Sequence, residues 1–146
     1  MNKQQPVLNA ERVGTVARVI HGAIVGGLAV AFAVFLYLQG RASLELPDQA
    51  NNLLRLIGYV ILASAVLVSL VVRGRITPPG SGEAVNEWWT VNLEKAVVCW
   101  ALAEGGGLAA LILGWVIGDT TLLALGTAVG LALLFVTRPG RLQART

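Results

Sequence analysis

Four stretches of this chain are almost free of charge: residues 19–38, 56–72, 96–117 and 122–136. Each is apolar around its whole circumference rather than along one stripe of period 3.6. A helix built that way does not suit the surface of a water-soluble bundle. Crossing a hydrocarbon layer of about 30 Å takes about 20 helical residues. The first and third runs are long enough as they stand. The second needs Leu53 and Leu54, with Arg55 reaching outward along its stem, and the fourth needs the threonines at 120, 121 and 137. The expectation is an all-α membrane protein: one membrane domain, 1–146, with four transmembrane helices in a bundle over about 13–38, 53–72, 94–117 and 120–137.

The breaks have local causes. Pro47-Asp48 precedes the second run, where Asp48 is a candidate helix cap. Thr77-Pro78-Pro79-Gly80-Ser81-Gly82 cannot continue a helix, because proline lacks the amide donor and glycine lacks restraint. Gly118-Asp119 forms a turn with Asp119 as the next cap, and Arg138-Pro139-Gly140 ends the last run.

Charge sets the expected orientation. Lys3, Arg12, Arg18, Arg73, Arg75, Lys95, Arg138, Arg141 and Arg145 fall on one side of such a bundle, and Arg41 and Arg55 on the other. Basic residues stay cytoplasmic, so both termini are expected there, in a bacterial inner membrane. The net charge of +3 then reflects topology, not nucleic-acid binding. The polar start, followed by a long apolar run, reads as a retained first helix rather than a cleaved signal. Residues 83–93 carry Trp88 and Trp89, with Glu83 and Glu87 before them and Val85, Val91 and Leu93 nearby. Tryptophan favours the headgroup level, which predicts an interfacial segment bracing the third span; a docking surface for a cytoplasmic partner is the sharper reading.

Small residues recur at helical spacing: Gly22 and Gly26 with Ala29 and Ala33 on the first helix, Gly107, Gly114 and Gly118 on the third, Gly126 and Gly130 on the fourth. Lipid gives helices no hydrophobic reason to associate, so such stripes are expected to line close helix contacts, within the chain or between subunits. Gly26-Gly27-Leu28-Ala29 recurs as Gly106-Gly107-Leu108-Ala109, which is compatible with a duplicated two-helix unit and equally with coincidence.

Glu104 is the central candidate. It lies inside the third apolar run, where an ionised carboxylate costs at least about 2.5 kcal/mol on insertion scales and calls for a partner, water or a proton. Aligning the two Gly-Gly-Leu-Ala copies sets Ile24 level with Glu104, which brings His21 within reach and Arg18 one turn beyond. Glu104, His21 and Arg18 are therefore the expected intramembrane polar site. A fixed bridge there would favour a structural role; a carboxylate open to water or a neighbouring subunit would favour ion carriage.

The segment Ala101-Leu102-Ala103-Glu104-Gly105-Gly106-Gly107-Leu108-Ala109-Ala110-Leu111-Ile112-Leu113-Gly114 resembles the ion-binding helix of the proteolipid ring subunits of rotary ATPases. The resemblance covers that helix alone. It implies a proton or sodium ion carried on Glu104. Single Cys99 and single His21 exclude a disulfide within the chain and motifs needing paired histidines. Without a phosphate loop, zinc-ligand spacing or nucleophile–base–acid set, the chain is expected to be non-enzymatic, with no cofactor and no metal. The first expectation is a structural or accessory subunit of a membrane assembly, its partners lipid and either itself or other membrane subunits. The alternative is ion transport, as a proton- or cation-conducting protein using Glu104.

Overall fold

The computed structural model describes residues 7–39 and 46–144, with side chains from Arg12 onward. Lys3, Arg41, Ser43, Arg145 and Thr146 lie outside the described residues. The described chain is all-helical: α1 (Val7–Leu38), α2 (Asp48–Gly74), α3 (Val85–Val116), α4 (Thr120–Val136) and a short α5 (Pro139–Gln143). The first three are long and apolar enough to cross a membrane; α4 is apolar but only 17 residues long.

The helices alternate in direction. Gln39, after α1, donates from Nε2 to Thr120 Oγ1 at the start of α4 (2.8 Å), and Arg55 near the start of α2 bonds Asp119. At the other end His21 of α1 meets the Leu134 carbonyl late in α4. α3 is the central helix, packed against α4, α2 and α1; α1 and α2 also lean on α4 and barely touch each other.

Glycine makes the α3/α4 crossing possible. A Cβ on Gly126 would lie 2.8 Å from the Gly107 carbonyl oxygen, and one on Gly107 would lie 2.9 Å from the Gly126 oxygen. At Gly114 it would lie 2.5 Å from Leu123 N, and at Gly130 2.8 Å from Leu28 Cδ2. Gly106 backs onto Ala65 of α2 in the same close manner, and Gly58 backs onto Leu122. Backbones approach this closely only where side chains are missing.

The other glycines behave differently. Gly22 and Gly26 meet nothing within 4 Å, so the α1 stripe lines no contact inside the chain. Gly118 packs against nothing either; its φ of +67° makes it the left-handed residue that ends α3. The duplicated tetrapeptide sits in opposite settings: Gly26 and Gly27 are exposed, whereas Gly106 and Gly107 are buried.

Residues 85–93 are the first turns of α3 itself and do not form a separate interfacial segment. Trp88 and Trp89 are 2% and 0% exposed, so neither ring sits at a surface. Trp88, Trp89, Asn92, Ala96, Cys99, Trp100 and Ala103 are all buried and repeat along one face of α3, which carries the core past the apolar run. Trp88 Nε1 donates to the Thr77 carbonyl (2.7 Å) and Trp100 Nε1 to the Thr137 carbonyl (2.8 Å), tying α3 to the loop after α2 and to the end of α4. These bonds satisfy the Trp88 and Trp100 N–H groups inside the protein rather than at a headgroup level, whereas the buried Trp89 Nε1 has no hydrogen-bond partner among the described residues.

Asp48 is the first residue of α2 and makes no capping bond; Pro47 occupies the cap position. Asp119 does cap α4, accepting from Thr121 N (2.9 Å) and Leu122 N (3.0 Å). Its other oxygen takes Arg55 Nε at 2.6 Å, so Arg55 joins α2 to the α3–α4 turn and does not simply extend outward. Burial alone would raise the Asp119 pKa, but bonds from the Leu122 amide, Arg55 and the Thr121 amide outweigh it and hold it below the ordinary carboxylate value.

Candidate functional site

Glu104 projects from mid-α3 toward α1, where Gly27 leaves room for it. A Cβ on Gly27 would lie 3.3 Å from Glu104 Oε1. Glu104 is partly buried, and its carboxylate makes no hydrogen bond or ion pair with another described residue. Its neighbour Ala103 is buried against α4 and Leu28 is buried in the core, so Glu104 lies at the edge of the α1/α3 contact, partly open to the outside.

His21 is not its partner. The imidazole Nε2 lies 3.0 Å from the Leu134 carbonyl oxygen. A carbonyl can only accept, so Nε2 carries the proton. The ring also stands edge-on to Trp100, with centroids 5.1 Å apart at 71°. The expected pairing fails on register. Glu104 is level with Gly27, not Ile24, and the six residues from Gly27 back to His21 amount to about 9 Å of helix rise. Arg18 is exposed and about 13.5 Å of rise away by the same measure. The structure therefore separates the three residues of the expected polar site.

His21 belongs instead to an aromatic column that the sequence reading missed. Trp100 lies 6.3 Å from Trp89, and Trp89 lies 4.8 Å from Trp88 in a T-shaped contact. Such edge-to-face pairs add stabilisation of about 0.5–1.5 kcal/mol each beyond area burial. The spacing of Trp88, Trp89, Asn92, Ala96 and Trp100 was the available signal, since it continues one helical face across the charged residues Glu94 and Lys95.

Several interior polar groups bond helix carbonyls, although the buried Ser69 Oγ has no partner among the described residues. Thr127 Oγ1 and Thr137 Oγ1 bond the Leu123 and Leu133 carbonyls one turn back, Asn92 bonds the Trp88 carbonyl, and Cys99 Sγ reaches the Ser69 carbonyl at 3.4 Å. The threonine and asparagine bonds stay within one helix and the Cys99 bond ties α3 to α2; none of them involves Glu104. Among the described residues no cluster of three or more His, Cys, Asp or Glu could hold a metal ion.

On the outside of α1, Gly22, Gly26, Ala29 and Ala33 are all exposed, and Val19 and Val30 are 65% and 64% exposed. Glu104 reaches α1 at Gly27, one residue after Gly26 of this open small-residue face. Comparison of the chain with protein-family models, with curated proteins and with solved structures gives no match.

Proposed function

We propose that the protein is a four-span membrane protein that serves as a structural or accessory subunit of a membrane assembly, with no enzymatic activity of its own. Its exposed surface supports the membrane reading: large apolar side chains such as Val19, Leu67 and Val71 point outward along helices of spanning length. Arg12, Arg18, Arg73, Arg75, Lys95, Arg138 and Arg141 gather toward one end and Arg55 toward the other, which supports cytoplasmic termini in a bacterial inner membrane.

The observation that carries the assembly reading is the α1/α3 face. Glu104 finds no partner among the described residues, and the α1 stripe is open to close helix approach. A carboxylate in lipid needs a hydrogen-bond donor, a cation or a proton. A neighbouring membrane helix, from a second copy or another subunit, supplies one and covers the stripe. Extraction in mild detergent without crosslinking is expected to yield a species larger than one chain. Gly26→Leu, at an exposed position where an added Cβ meets nothing within 4 Å, is expected to dissociate that species without unfolding the bundle. A parent chain that purifies as a monomer would overturn the reading.

The same unpartnered carboxylate favours a second reading, proton or cation carriage in the manner of the proteolipid subunits that this helix resembles. On that reading Glu104→Gln folds normally and abolishes ion flux in reconstituted vesicles, and a hydrophobic carbodiimide modifies Glu104. On the assembly reading the glutamine variant keeps a hydrogen bond and still assembles.

A further inference from the structure

Away from Glu104, a cavity of about 250 Å³ opens where the end of α2 meets α5, and Arg73 and Arg141 line it. Arg73 is in the last turn of α2; Arg141 is held on α5, which Pro139 and Leu142 anchor by burial. Neither arginine forms an ion pair with a described residue, and the cavity lining includes no acidic side chain. Glu83, in the neighbouring loop, is engaged elsewhere: its Oε2 accepts from the Gly80 amide at 2.8 Å.

The apolar side of the cavity continues along α2. Leu67, Leu70, Val71 and Gly74 recur at helical spacing and are all exposed; Leu70 and Gly74 belong to the cavity wall itself. The mouth therefore joins two cationic side chains to an apolar track running toward the middle of the helix. Arg138 and Arg141 also lie over the exposed Phe135 ring, at 4.7 and 5.0 Å, which marks this level as a boundary between charged and apolar surroundings.

We infer that this cavity binds the phosphate of an anionic phospholipid, with Arg73 and Arg141 on the headgroup and an acyl chain along Leu67, Leu70 and Val71. Guanidinium groups suit phosphate oxygens because their planar forks donate two parallel hydrogen bonds. The apolar track singles out a lipid over free phosphate, which has nothing to place there. The inference rests on the chain's lying in a membrane, and is independent of whether Glu104 faces a partner.

The test uses the full chain in mild detergent, with retained lipid measured by native mass spectrometry. The probes are short-chain phosphatidylglycerol, phosphatidylcholine and inorganic phosphate. Phosphatidylglycerol is expected to bind in preference to phosphatidylcholine. Arg73→Gln and Arg141→Gln are each expected to weaken it about fivefold, and Arg12→Gln, the same charge change outside the cavity, to leave it unaltered. Arg73→Lys, which preserves the charge, should weaken binding less than Arg73→Gln and guards against a folding defect in the glutamine variant. Equal weakening by Arg12→Gln would reduce the effect to net charge and overturn the site. Displacement of the lipid by millimolar inorganic phosphate would assign the cavity to a free anion instead. A chain that stays monodisperse after complete detergent removal would defeat the membrane reading itself, a separate result.

Discussion

Replacing Gly114 with alanine adds one methyl group, and the structure says where it must go. Its carbon would lie 2.5 Å from Leu123 N, 2.9 Å from Leu123 Cα and 2.9 Å from the Asp119 carbonyl oxygen. The closest of these is about 0.9 Å short of ordinary van der Waals contact, and all three are backbone, so no rotamer change relieves them. α3 and the start of α4 must part locally, and gaps of 0.5–1 Å forfeit about a quarter to a half of each contact's attraction. Overpacking of this kind costs about 1–3 kcal/mol, and rigid backbone puts Gly114 at the upper end. Alanine returns about 1 kcal/mol of helix propensity, leaving a net loss of about 2 kcal/mol. Gly26→Ala is the matched control. It brings the same propensity gain, and its methyl group meets nothing within 4 Å of its own chain. Reversible denaturation in detergent, followed by tryptophan fluorescence, should find Gly114→Ala clearly destabilised and Gly26→Ala no less stable than the parent. Equal stability of the two variants would refute the glycine-based account of the α3/α4 crossing.

Other perturbations follow from the same geometry. Asp119 has a lowered pKa in the folded state, so its contribution is present above the unfolded value of about 3.9 and is lost as pH falls through the folded value. Asp119→Asn should flatten the loss of stability that the parent shows on acidification below about pH 4; an unchanged acid limb would contradict the ion-pair and capping assignment. Trp88, Trp89 and Trp100 are buried whereas Trp115 is partly exposed, so a chain retaining only Trp115 should be quenched by brominated lipid more strongly than one retaining only Trp89. Efficient quenching of Trp89 would return that residue to the interface. Trp100→Phe should cost about 1 kcal/mol through loss of the bond to the Thr137 carbonyl, read from the same denaturation curves.

The all-helical class was legible because long uncharged runs, broken by proline and glycine, leave few alternatives to helices. The Gly107, Gly114, Gly126 and Gly130 contacts were legible for a related reason: small residues at helical spacing mark close approach whichever helix supplies the partner. Spacing does not say which stripe faces inward. Gly22 and Gly26 share the pattern yet face outward, since the choice depends on the three-dimensional packing of α1 against α3. The first turns of α3 were misread because paired tryptophans suit a headgroup level, although Asn92 and Ala96 carry the buried face past the exposed Glu94 and Lys95. The Glu104–His21 pairing failed by three residues of register. The Gly-Gly-Leu-Ala copies gave an alignment, but Leu28 packs into the α3/α4 crossing and so sets the height of α1 independently of that repeat.

If the protein is an assembly subunit, another membrane helix covers the open face of α1 that holds Gly26. A photoreactive residue placed at Gly26 and activated in intact membranes tests it most directly, with Leu67 on exposed α2 as the comparison site. A discrete protein adduct from Gly26 and none from Leu67 is the predicted result. Lipid adducts alone from both positions would contradict it.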